Sequence, residues 1–192
     1  MSKELFSEDI RKAVEVMQRG GIILYPTDTI WGIGCDATNE SAVQKIYALK
    51  KRSDSKSMLV LVDSDVKLQG LVSEVPEIAY DLIDLAIRPI TIIYSGARNV
   101  APSLITDEGT LGIRVTKEEF SQELCKRMRV PVVSTSANIS GEPSAAFFSQ
   151  ISPEILAGVD YVVEYRQDDN NPSEPSQIIS LGSGGEVKVI RE

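Results

Sequence analysis

Two stretches of this chain concentrate the groups that bind anionic small molecules. The first, Pro26–Ala37, reads PTDTIWGIGCDA. Thr27, Asp28 and Thr29 offer hydroxyls and a carboxylate, and Gly32 and Gly34 let a backbone approach a ligand closely. It leaves an apolar run, as ligand loops do in α/β proteins. It is not a phosphate-binding P-loop, because no Gly-Lys-Ser/Thr follows the glycines. The second stretch, Pro131–Ser144, contains STSANIS and is crowded with hydroxyls and small residues. Hydroxyls and exposed backbone N–H groups hold phosphate oxygens without a metal cage. Taken singly, each stretch also fits an ordinary polar turn. Together they are expected to form one site for a nucleoside triphosphate, ATP.

Two further features carry positive charge. Leu49–Lys56 reads LKKRSDSK. Three consecutive cations suit the negative end of a helix dipole. They equally suit a phosphate clamp, with Arg52 as the bidentate partner and Lys50 or Lys56 as point charges. Arg114 lies in GIRV among apolar neighbours. It either pairs with an acid or faces a ligand carboxylate or phosphate. The chain has no histidine, which removes the commonest general base and every histidine-based triad. Its chemistry must then rest on positioning and charge stabilisation.

The elements that would hold these groups follow from periodicity and breakers. Helices are expected at 7–19 (Ile10, Ala13, Val14 and Met17 inward), 40–51 capped by Asn39, 65–71, 77–88 after Pro76, 117–127 and 153–157. Strands are expected at 21–25, 58–62, 90–94, 110–115, 131–134, 161–164, 177–181 and 187–190. Strands interleaved with helices, and paired near the end, predict a layered mixed α and β fold with a mixed sheet of about seven strands. The whole of 1–192 reads as a single domain. Residues 165–176, rich in Asp, Asn and Pro, read as a mobile loop.

Bulk properties narrow the function classes. Apolar residues make up 42% and charged residues 25%, as in soluble globular chains. No apolar run is long enough to span a bilayer and the start carries no hydrophobic signal region, so a cytoplasmic location without membrane contact is expected. Cys35 and Cys125 have no metal-ligand spacing, and no protein-held metal is expected. The net charge of −8 repels nucleic acid over most of the surface, so a bound polyanion must meet a local basic patch.

In this order and spacing, PTDTIWGIGCDA, LKKRSDSK, GIRV and VPVVSTSANISG resemble the YrdC/TsaC family of L-threonylcarbamoyladenylate synthases. The resemblance runs from about Ser7 to the end. It implies a twisted mixed sheet flanked by helices around a concave basic groove. It implies a nucleotidyltransferase that converts L-threonine, bicarbonate and ATP into threonylcarbamoyl-AMP and pyrophosphate, the first step of tRNA t6A modification, with Mg2+ arriving on ATP. By motif, Thr27, Arg114, Ser134 and Ser176 would contact threonine. Arg52, Lys56, Thr110, Ser136, Asn138, Ser144 and Arg191 would contact ATP, and Lys50 and Arg52 would be the catalytic cations. Implied partners are the downstream tRNA threonylcarbamoyl transferase machinery and, by direct contact, tRNA or double-stranded RNA. The competing reading is an RNA-binding module using the same groove. The acidic total and the lack of an aromatic–basic stripe weigh against it.

Overall fold

The computed structural model describes residues 3–51, 58–171, 174–182, 184 and 186–192. Helix α1 (Lys3–Gln18) starts earlier than its periodicity predicted, and Ile10, Ala13 and Met17 are fully buried on its inner face. Strand β1 (Ile23–Tyr25) and strand β2 (Gly32–Gly34) flank the first polar stretch. Helix α2 (Glu40–Lys50) is capped as expected: Asn39 Oδ1 accepts the Ala42 N–H at 3.1 Å. It stops at Lys51, whose φ of 51° is left-handed. Strand β3 (Leu59–Val62) leads to helices α3 (Leu68–Leu71) and α4 (Glu77–Leu85). Strands β4 (Ile90–Ser95) and β5 (Thr110–Val115), helix α5 (Glu119–Met128) and strand β6 (Val132–Ser136) follow. Helix α6 (Pro153–Gly158) and strands β7 (Tyr161–Val162), β8 (Gln177–Leu181) and β9 (Val187–Arg191) complete the order.

The strands form one mixed sheet in the order β7-β1-β2-β6-β3-β5-β4-β8-β9. Pairs β1/β7, β3/β5 and β4/β8 are parallel and the others antiparallel. The sheet has nine strands where about seven were expected. Strand β2 is the one without a counterpart among the expected ranges, since Gly-Ile-Gly is too short to display alternation. Its Gly34 is required by close packing: a Cβ there would stand 2.6 Å from both the Tyr25 ring and the Val133 carbonyl. The Tyr25 hydroxyl donates to that same carbonyl at 3.1 Å.

Period-two alternation divides the central strands into two faces. Val60, Ile92, Leu111, Ile113 and Val133 on one face are core residues. The intervening positions on the other face, Thr91, Ile93, Thr110, Gly112, Arg114, Ser134 and Ser136, line a cavity. The register fixes their order across the sheet: Leu59 stands opposite Ser134, Leu61 opposite Arg114, and Ile93 opposite Gly112. The small residues Gly112 and Gly32 leave the floor low, and taller neighbours make its walls. The far edge is tied down by Asp9 of α1, which is 1% exposed. Its carboxylate accepts the Tyr161 hydroxyl and the backbone N–H groups of Glu164 and Tyr165.

Candidate active site

The cavity encloses about 300 Å³, at the small end of ligand sites. Nine of the residues singled out from sequence line it: Thr29, Gly32, Thr110, Arg114, Ser134, Ser136, Ser144, Ser176 and Arg191. The two polar stretches meet here because β2 pairs with β6, Gly32 opposite Ser136. Thr27 lines a smaller adjoining pocket that shares Thr29 and Trp31 with the main cavity. Its hydroxyl donates to the Ile30 carbonyl at 2.8 Å and accepts the Thr29 N–H at 3.0 Å, which folds the loop back on itself. Arg52 and Lys56 lie outside the described residues.

Arg114 and Arg191 are the only charged side chains among the described lining residues. In a chain of net charge −8 that is a local reversal of sign. Arg114 is 3% exposed. Its Nη2 stands 3.1 Å from Asp28 Oδ1, while its Nε is buried without a hydrogen-bond partner. Arg191 donates through Nε and Nη2 to the Ser176 carbonyl at 2.9 and 2.7 Å. Partial burial, with the Arg114 charge added, holds the Arg191 guanidinium below its ordinary value. Two cations that repel one another across a hydroxyl-lined hollow favour an anion between them. Burial raises the Asp28 carboxyl above its ordinary value, Arg114 opposes that, and Glu118 adds to it.

The two described lysines of the basic run take different courses. Lys50 is 1% exposed, and its ammonium donates to the carbonyls of Ser136 and Asn138. Lys51 turns to the surface and pairs with Glu154 at 2.8 Å. The expected catalytic amine of Lys50 is therefore engaged with the backbone of the second polar stretch, and it does not line the cavity. Asn138 stands beside it and is also absent from the lining. Its amide donates to the Ile139 and Glu142 carbonyls at 3.0 and 2.6 Å, which shapes the turn that carries Ser144 to the cavity mouth.

The polar segment before β8 is anchored in its described part. Arg166, at φ 66°, donates to the Thr27 carbonyl at 3.2 Å and pairs with Asp169 and Glu118. Ser176, 2% exposed, shares a hydroxyl–hydroxyl hydrogen bond of 2.8 Å with Thr91. Thr91 and Thr106 line the cavity and were not singled out from sequence. Thr106 is bonded to the Thr110 hydroxyl at 2.7 Å. The alternation of Thr91 and Ile93 on one strand face was the available signal. Trp31, packed on Phe148 with ring centroids 4.9 Å apart, forms an aromatic wall. Among the described residues no group of three or more His, Cys, Asp or Glu could hold a metal ion, and no helix is long and apolar enough to cross a membrane.

Comparison with known proteins gives this arrangement relatives. The family profile Sua5_yciO_yrdC, described as Telomere recombination, matches residues 15–192. A protein named threonylcarbamoyl-AMP synthase from Xanthomonas euvesicatoria is 33% identical over 188 residues, covering 96% of this chain and 97% of its own. Among solved structures, P. abyssi Sua5 complexed with L-threonine aligns at TM-score 0.80 and 24% identity, over 90% of this chain and 50% of that one. This chain thus spans half the length of that Sua5. E. coli YciO aligns at TM-score 0.82 and 24% identity, over 95% of this chain and 88% of its own. These two structural likenesses establish the shared fold.

Proposed function

The chain belongs to the Sua5/YciO/YrdC family, and from that premise we propose that it is a nucleotidyltransferase making L-threonylcarbamoyladenylate from L-threonine, bicarbonate and ATP. The observation that carries the reading is the cavity wall. It holds two mutually repelling arginines among hydroxyls and small residues, in an acidic chain. Curated relatives covering nearly all of the chain share the synthase name, which favours synthesis over RNA binding.

The chemistry asks for what this wall offers. Bicarbonate yields CO2 and hydroxide, threonine's neutral amine adds to the CO2 carbon and its proton combines with that hydroxide as water, and the resulting carbamate oxygen attacks the α-phosphate as pyrophosphate leaves. That nucleophile is already anionic, so no strong base is needed at this step. The difficulty is to hold anions together and to stabilise charge as it develops, which oriented donors and cations accomplish. In this reading Arg114 takes the threonine carboxylate, with Ser134, Ser176 and Thr27 around the rest of the amino acid. Arg191, Thr110, Ser136 and Ser144 face the nucleotide. Arg52 and Lys56 serve the phosphates. Lys50 and Asn138 act by fixing the backbone that presents Ser136. The described wall carries no carboxylate, so Mg2+ would come bound to the ATP phosphates. The enzyme would work in the cytoplasm and pass its product to a tRNA threonylcarbamoyl transferase.

The test is pyrophosphate release from ATP and Mg2+, with the product from labelled bicarbonate identified by mass spectrometry. Release is expected only when L-threonine and bicarbonate are both present. Release without either substrate would refute the proposal.

A further inference from the structure

Asp28 belongs to the first polar stretch, yet it does not line the main cavity. It stands behind Arg114, on the wall of a second hollow of about 270 Å³ that also touches Ile83, Ile90, Val115, Lys117 and Glu118. Among the described residues, it reaches the main cavity through its 3.1 Å approach to Arg114 Nη2. That approach is an ion pair and not an aligned hydrogen bond, since Asp28 Oδ1 is buried without a hydrogen-bond partner among the described residues, as is Arg114 Nε. A guanidinium presents five donors in one plane. One corner rests near the Asp28 carboxylate and the Nε donor is still unused.

We propose that Asp28 is a positioning residue: the pull of its carboxylate on Nη2 sets the tilt of the Arg114 guanidinium so that its remaining cavity-facing N–H groups meet the carboxylate of the amino-acid substrate. The inference rests on the functional reading given above. Two observations favour positioning over simple charge balance. Arg114 is 3% exposed on a strand between two others, so its head has few orientations and a small tilt redirects every donor. And, on the functional reading, a carboxylate beside the arginine that takes the substrate's carboxylate would oppose binding if charge alone mattered.

That opposition makes the test decisive. Asp28→Asn keeps the shape and removes the negative charge. Pure electrostatics predicts tighter L-threonine binding. Positioning predicts a KM for L-threonine raised on the order of tenfold, with the KM for ATP unchanged. Asp28→Glu keeps the charge and displaces the oxygen, and it should raise the threonine KM as well. In the wild type the threonine KM should climb at acidic pH, as Asp28 takes up a proton in the field of Arg114 and Glu118, with Lys117 and Arg88 on the hollow's wall. The Asp28→Asn profile should lack that limb. An unchanged or lowered threonine KM in both variants overturns the inference. So does an equal rise for ATP accompanied by lost stability, the mark of a merely structural role. If the wild type itself needs no threonine, the functional reading fails and takes the inference with it. If the wild type needs threonine and the variants do not differ from it, only the inference fails.

Discussion

Lys50→Met is the substitution that separates two uses of a cation. Lys50 is 1% exposed and donates to the carbonyls of Ser136 and Asn138. Methionine fills nearly the same volume without the ammonium. Each lost charge-assisted hydrogen bond is worth about 1.5–3 kcal/mol. Relief from burying an ammonium returns part of that, leaving a net destabilisation of about 2–3 kcal/mol. For a chain of this size that lowers Tm by about 5–10 °C. The two freed carbonyls also let the Ser136–Ser144 turn drift, so nucleotide KM should rise along with the loss of stability. A lysine serving phosphate from the surface would behave differently: stability would stay within about 0.5 kcal/mol while ATP use collapsed. Urea unfolding and ATP saturation curves on the same preparation decide it. Wild-type stability in Lys50→Met would refute the positioning argument.

Three other outcomes are expected. Arg191→Gln should raise the KM for ATP on the order of tenfold or more and leave stability within about 1 kcal/mol; a nucleotide KM equal to wild type would remove Arg191 from the phosphate site. The raised Asp28 carboxyl means that the folded chain holds this proton more tightly than the unfolded one. The Asp28 contribution to stability therefore falls as pH rises from the ordinary value of 3.8 through the raised folded value. The stability of Asp28→Asn relative to wild type should accordingly improve as pH rises from 3.8 through the raised folded value, and a pH-independent difference in urea midpoints would contradict this. Burial raises the thiols of Cys35 and Cys125 well above their ordinary values, so both should resist alkylation in the folded protein and react at once in urea; rapid native labelling at mildly alkaline pH would contradict the burial.

Elements with a long repeat were legible. Helix α1 declared itself through Ile10, Ala13 and Met17, and α2 through the Asn39 cap, because helical spacing and cap chemistry are local properties. The two polar stretches were also legible as one site, since hydroxyls and glycines after apolar runs mark ligand loops. Lys50 was not. In LKKRSDSK it looks like its neighbours, yet it closes the buried face of α2 after Val43, Ile46 and Tyr47, while Lys51 at the left-handed cap pairs at the surface. The Thr91–Ser176 hydrogen bond was out of reach for another reason. It joins residues 85 apart, and it exists only because β4 and β8 run parallel as neighbours. The Asp28–Arg114 pair likewise depends on how the sheet folds, although both residues were visible as candidates.

The make-up of the cavity wall has a chemical consequence of its own. A mixed anhydride between a carbamate and a phosphate is an acylating agent, and its first hazard is the protein that makes it. The described wall presents guanidinium groups, hydroxyls, an indole, the Met58 thioether, aliphatic side chains and backbone. It presents no thiol, imidazole or free amine. The nearby Lys50 amine is bonded to carbonyls, and both cysteines are buried. Guanidinium stays protonated, and a hydroxyl without a neighbouring base is a poor nucleophile. The described part of this wall can face a reactive acyl group at close quarters without being modified by it.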